Sequence, residues 1–99
     1  MQSELIENET NGNRRYICPC CGYRTLTEPP GSYDICPVCY WEDDPIQRQE
    51  PDYAGGANVP SLLEARENYK KCGVSETRFA DKVRAPYKEE EVDTNDAAE

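Results

Sequence analysis

Two cysteine turns constrain this chain more than anything else in it: Cys18-Pro19-Cys20-Cys21-Gly22 and Cys36-Pro37-Val38-Cys39-Tyr40. Pairing Cys18 with Cys21 and Cys36 with Cys39 gives C-x2-C, 14 intervening residues, then C-x2-C. That spacing suits a four-thiolate metal site. Two cysteines three apart on a tight turn aim both sulfurs at one point, and a tetrahedral Zn²⁺ takes four thiolates at ~2.3 Å. Pro19 and Pro37 preset φ at the second position of each turn. Gly22 permits the positive φ that such a turn needs after its last cysteine. The expected ligands are therefore Cys18, Cys21, Cys36 and Cys39 around one zinc ion.

Composition makes that metal necessary to a fold. The chain has 99 residues, 11 Lys+Arg against 20 Asp+Glu, a net charge of −9 and no histidine. Leu, Ile, Val and Phe together number 14, a fraction typical of disordered chains. A large apolar core is excluded. So is a transmembrane helix, because no apolar run approaches ~18 residues. Without histidine there is no Ser-His-Asp triad and no Cys-His pair, and no catalytic or cofactor-binding residues are assigned. The start, Met1-Gln2-Ser3-Glu4-Leu5-Ile6-Glu7, is acidic and unlike a secretory leader. The expectation is a cytoplasmic protein, whose thiols stay reduced and serve as metal ligands. Iron is the alternative metal, since the Cys-Pro-x-Cys-Gly turn also suits a rubredoxin-like electron carrier.

Three segments follow from the pattern. Residues 1–14 are polar and aperiodic, a disordered arm. Residues 15–87 form the domain. Residues 88–99 carry a net −5 and are expected to be a disordered acidic tail. Within the domain, Tyr23-Arg24-Thr25-Leu26-Thr27 and Ser32-Tyr33-Asp34-Ile35 read as strands either side of a Pro29-Pro30-Gly31 turn, a hairpin between the cysteine pairs. Ser61 and Glu64 form a capping box before an apolar stripe of Leu62, Ala65, Tyr69 and Cys72. Arg66, Glu67, Lys70 and Lys71 are expected to face water, and Gly73 to end the helix. A second, shorter helix is expected over about residues 75–84, stopped by Pro86. The fold class is a small metal-stabilised α+β: zinc-ribbon-like β-hairpins with two cysteine knuckles, then one or two helices.

Two cysteines fall outside the site. Cys20 sits within the first knuckle and is expected to point away from the metal, as a passive side chain or as a reactive thiol. Cys72 lies on the helix stripe and is expected to be a small buried hydrophobe. Tyr16, Tyr23, Tyr33, Tyr40 and Trp41 are expected to cover the knuckles. Residues 42–53 carry a net −4. Glu42-Asp43-Asp44 there are expected to be a solvated loop, with Asp43 or Asp44 capping a turn. The loop Pro51-Asp52-Tyr53-Ala54-Gly55-Gly56-Ala57-Asn58 is flexible enough to bring Asp52 and Asn58 near the knuckles.

These segments resemble the bacterial cysteine-rich CPCC domain family. The resemblance rests on Cys18-Pro19-Cys20-Cys21-Gly22, Glu28-Pro29-Pro30-Gly31-Ser32, Ile35-Cys36-Pro37-Val38-Cys39-Tyr40-Trp41-Glu42-Asp43-Asp44, Pro51 through Asn58, and Ser61-Leu62 on to Tyr69. It covers about residues 16–72, extending to residue 86 at most, with both tails outside it. It implies a small zinc ribbon with a helix appended, and no particular activity. The functional expectation is a structural zinc-binding module that binds another protein. The acidic surface disfavours nucleic acid, and neither a membrane nor a small-molecule substrate is indicated. The alternatives are a thiol redox or metal-sensing protein using Cys20, the iron electron carrier, and a nucleic-acid-binding zinc ribbon.

Overall fold

A computed structural model describes residues 15–92. Strand β1 (Tyr16–Ile17) and strand β2 (Arg24–Leu26) pair antiparallel. Helix α1 spans Pro45–Gln49 and helix α2 Leu62–Cys72. Two 3-10 helices follow, Thr77–Lys82 and Lys88–Glu90. The architecture is a small α+β fold, and no helix of the described residues is long and apolar enough to cross a membrane.

The expected hairpin between the cysteine pairs forms elsewhere. Each knuckle is instead closed by its own short pairing: β1 with β2 around the first, and an isolated Ile35–Glu42 bridge around the second. The register pairs Tyr16 with Leu26 and Ile17 with Arg24, so Thr25 is an extra residue, a β-bulge. Bulges re-aim side chains. Here the buried Thr25 hydroxyl lies 2.9 Å from the Cys36 sulfur. The two stretches expected to pair are joined by a side chain instead: Asp34 Oδ2 accepts from the Thr27 backbone N–H at 2.8 Å.

Helix α2 follows its sequence signals closely. Ser61 Oγ accepts from the Glu64 N–H, and Glu64 Oε1 accepts from the Ser61 N–H. Gly73, at φ 77°, ends the helix with its N–H on the Tyr69 carbonyl. Leu62 and Ala65 are buried, and Tyr69 packs against the core edge-on to Tyr23. Two expectations fail at this helix. Cys72 is exposed, because the stripe runs past the end of the small core. Arg66 is half-buried, and its Nε donates to the Pro19 carbonyl at 2.9 Å, tying the helix to the first knuckle. The expected second helix is the 3-10 turn Thr77–Lys82, with Val83 already extended.

The apolar core is Leu26, Val38, Trp41, Leu62, Ala65 and the cysteines Cys18, Cys20, Cys36 and Cys39. Beside it lies a polar core. Asp43 is fully buried; its Oδ2 accepts from the Gly31 N–H at 2.8 Å, and Arg48 pairs with both carboxylate oxygens. Asp44 caps α1 through the Ile46 N–H, and its other oxygen accepts from Ala57. Gln47, also fully buried, donates to the Tyr53, Asn58 and Pro60 carbonyls and accepts from Asn58. Asn58 in turn holds both backbone groups of Glu42. A Cβ on Gly56 would sit 2.6 Å from Asp44 Oδ2, so the loop closes only on glycine. Asp43 and Asp44 are therefore internal linkers, and the expected solvated loop is corrected. Burial is tolerated because each charge is paired or hydrogen-bonded.

The boundary expected at residue 87 also moves. Residues 88–90 turn back onto the body, and the Glu90 carboxylate takes both Arg84 NH groups at 2.9 and 2.7 Å. Residues 1–14, and the tail from residue 93, lie outside the described residues.

Candidate metal centre

The two knuckles share one hydrogen-bond scheme. In the first, the Gly22 N–H donates to the Cys18 carbonyl and the Cys18 N–H to the Tyr23 carbonyl, both at 2.9 Å. In the second, the Tyr40 N–H donates to the Cys36 carbonyl at 2.8 Å and the Cys36 N–H to the Trp41 carbonyl at 2.9 Å. Each scheme curls the chain so that the two outer cysteines share a side. The Val38 N–H adds a contact of 3.3 Å to the Cys36 sulfur.

Facing each other, the knuckles bring four sulfurs together. The Sγ atoms of Cys18, Cys21, Cys36 and Cys39 all lie within 4.8 Å of one another. Across the knuckles, Cys18 and Cys39 are 3.6 Å apart, and Cys21 and Cys36 are 3.7 Å apart. These distances exclude disulfides, which need ~2.05 Å. They match the edge of a sulfur tetrahedron of ~2.3 Å bonds, roughly 3.8 Å. The cluster is able to bind a metal ion.

The electrostatics of the donor set point the same way. Cys36 is held far below the ordinary thiol range because it accepts from Cys18, then Cys21 and Cys39, and from Thr25. Cys18 is pushed far up, chiefly by its contact with Cys21, and Cys39 chiefly by its contact with Cys18. For Cys21, contact with Cys18 acts downward, and contacts with Cys36 and Cys39 together with burial outweigh it. Four sulfurs this close favour one negative charge, because a second would be a like charge in a poorly solvated place. A bound dication reverses that balance and holds coordinating thiols deprotonated. Tyr69, packed beside the cluster, is pushed up to about 12 by burial and by the nearby thiols.

Cys20 is buried in the apolar core and is not one of the four clustered sulfurs. Trp41 is fully buried. Tyr16, Tyr23 and Tyr69 cover the core's edge. Tyr33, however, is 49% exposed and is not among the residues packed on the core, and Tyr40 turns to Phe79, with ring centroids 4.5 Å apart. Asn58 does reach the strand leaving the second knuckle, while Asp52 stays exposed. Sequence reasoning missed Thr25, whose role depends on a bulge. It also missed that the segment from Ser75 to Arg84, expected only as a short helix, bonds the second knuckle. There the Ser75 N–H donates to the Cys39 carbonyl at 2.8 Å and the Arg84 N–H to the Pro37 carbonyl at 3.2 Å. No local signal marks a backbone contact made between residues so far apart in the chain.

A comparison with curated proteins found no match. The sequence from residue 16 to residue 90 matches the family described as Cysteine-rich CPCC, and this span takes in both knuckles, helix α2 and the turn that carries Glu90. The chain therefore belongs to the cysteine-rich CPCC family.

Proposed function

We propose that the protein is a structural zinc module of zinc-ribbon type, in which Cys18, Cys21, Cys36 and Cys39 hold one Zn²⁺ and the folded surface engages another protein in the cytoplasm. The observation that carries the metal reading is the sulfur geometry: four Sγ atoms mutually within 4.8 Å, donated by two turns with the same hydrogen-bond scheme. All four positions are filled by protein sulfur, the pattern of a closed structural site. Protein purified without added metal is expected to contain one zinc per chain by elemental analysis, and chelation should unfold it. Iron in that place, or a folded chain holding no metal, would overturn the assignment.

Asp43 and Asp44 are buried, so the partner reading rests on exposed apolar side chains rather than on the acidic loop. A chain with so few large aliphatics leaves Ile17, Ile35, Ile46, Val59 and Leu63 between 41% and 65% exposed. We read these exposed side chains as the protein-facing surface. Immobilised zinc-loaded protein should retain a defined partner from native cytoplasm, and Val59→Asp with Leu63→Asp should abolish retention. Repeated recovery of no protein would count against this reading.

A further inference from the structure

Helix α1, the loop after it and the first turn of α2 are drawn together through their backbones. The Gln47 side chain donates to the Tyr53, Asn58 and Pro60 carbonyls at 3.0, 3.1 and 3.0 Å. The Leu63 N–H donates to the Pro51 carbonyl at 3.0 Å. This frame leaves three apolar side chains to solvent: Tyr53 is 44%, Val59 65% and Leu63 48% exposed. We propose that this patch docks a basic peptide segment that carries apolar anchors. The inference rests on the protein-partner reading above and adds the partner's chemistry to it.

Charge complementarity selects that occupant. Burial takes Asp43 and Asp44 off the surface, but Glu50 and Asp52, on either side of Pro51, stay exposed. Glu64, next to Leu63, is exposed as well. Residues 49–65 hold these three acids and no lysine or arginine, a local −3 in a chain of −9. Among the described residues no cation pairs with any of the three. Glu64 accepts only from the Ser61 N–H, a neutral donor that leaves its charge unbalanced. The arginines that bracket this stretch are committed elsewhere. Arg48 grips both Asp43 oxygens, and Arg66 donates to the Pro19 carbonyl. An apolar centre with an acidic rim fits a partner that sets apolar anchors between basic side chains, as a basic amphipathic helix does. The same rim repels nucleic acid and anionic lipid. A bare polycation would satisfy the rim and leave the apolar side chains in water.

The experiment separates anchored docking from attraction to net charge. Full-length protein with its metal content confirmed is titrated with a synthetic peptide of leucine and lysine at helical spacing, following amide shifts by NMR. An alanine–lysine peptide and a leucine–glutamate peptide are titrated separately. Saturable shifts at Tyr53, Val59 and Leu63 are expected for the leucine–lysine peptide, with affinity falling as salt rises. Glu50→Gln with Asp52→Asn should weaken binding about threefold to tenfold. Val59→Ser with Leu63→Ser should weaken it at least about tenfold. Glu28→Gln with Asp81→Asn, which removes the same charge outside the patch, should leave it unchanged. The proposal is overturned if the alanine–lysine peptide binds equally well, or if Glu28→Gln with Asp81→Asn weakens binding as much. It is also overturned by preferred binding of the leucine–glutamate peptide, or by no saturable shifts up to about 1 mM. Shifts at the same amides that grow with protein concentration alone would assign the patch to a second copy and overturn it too. A cytoplasmic protein retained equally by wild type and by Glu50→Lys with Asp52→Lys would overturn this inference and leave the broader partner reading standing.

Discussion

The two cysteine knuckles solve one geometric problem with different residues. Both place their fifth residue in the left-handed region, Gly22 at φ 84° and Tyr40 at φ 69°. Glycine does so without strain, whereas a side chain at such a φ costs about 1–2 kcal/mol. The second knuckle offsets this through more such contacts than the first, whose Pro19 carbonyl takes one bond, from Arg66. Tyr40 packs on Phe79, and Ser75 and Arg84 bond the knuckle's carbonyls. Cys36 and Cys39 are both fully buried, while Cys21 in the first knuckle is only partly so. A turn that is locally easy can stand near the surface. A turn that is locally strained needs the rest of the chain on top of it.

The comparison breaks most visibly at the sulfurs. Cys18→Ser and Cys39→Ser each remove one sulfur of the proposed metal site, one from each knuckle. Structural Zn²⁺ in small peptides contributes apparent free energies of ~10–16 kcal/mol, comparable to the whole stability of a domain at about 5–15 kcal/mol. Both variants are therefore expected to be unfolded at 25 °C, with collapsed amide dispersion and no bound metal. A native spectrum for either one without metal would show that the two knuckles are not equal partners in a single site.

Next in size is the link behind the second knuckle. Asp43→Ala leaves the Gly31 N–H and the Arg48 guanidinium without their buried acceptor. Breaking a buried pair on one side costs roughly 3–5 kcal/mol. Denaturant midpoints of the metal-loaded protein should show a loss of that order. A loss below about 1 kcal/mol would place Asp43 among solvated acids, where surface pairs are worth little.

The strained position gives a sharper test. Tyr40→Ala removes the ring contact and keeps the strain, whereas Tyr40→Gly removes both. Tyr40→Gly should therefore be the more stable of the two by about 1 kcal/mol, reversing the usual advantage of alanine over glycine. At Gly22 nothing lies within 4 Å of an added Cβ. Gly22→Ala should thus cost about 1–2 kcal/mol from conformation alone. A double-mutant cycle between Tyr40 and Phe79 should yield about 0.5–1.5 kcal/mol of coupling. Coupling near zero would mean that the second knuckle is held by backbone contacts only.

What could be read from the sequence divides along the same line. The knuckles and helix α2 are written locally: C-x2-C with proline, glycine at position 22, and Ser61 with Glu64 before an apolar stripe. Each of these acts within a few residues, so spacing alone reveals it. The strand pairing was not legible, because five-residue alternating stretches do not say which neighbour they join, and the Thr25 bulge shifts the register. Nor were Asp43, Asp44 and Gln47. Polar side chains look solvent-facing until the groups that satisfy them, such as Gly31, Ala57 and the loop carbonyls, are brought alongside. Tyr40 hid for the opposite reason, since its unusual backbone angle depends on Phe79, which lies far along the chain. The net charge misled in the same way, assigning to the surface two carboxylates that serve the interior.

The smallest effect is expected at the C-terminal segment that crosses the second knuckle. Arg84 holds the Glu90 carboxylate well below its ordinary range, with a further bond from the Tyr87 N–H acting in the same direction. Arg84 itself is raised by the same pair and stays charged throughout. A carboxyl whose folded pKa is lowered adds stability above its unfolded pKa, near 4.3, and that stability is lost as pH falls through the lower folded value. With side chains 12% and 31% exposed, the pair is worth about 1 kcal/mol. Glu90→Gln should thus lower Tm by about 4–8 °C at pH 7. The gap to wild type should hold down to about pH 5 and close below it, because both side chains are then neutral. Protonation of the cluster sulfurs lowers both curves alike, so the difference between them isolates Glu90. A gap that persisted unchanged below the folded value would show that Glu90 acts by packing and hydrogen bonding, and that the cover over the second knuckle owes nothing to charge.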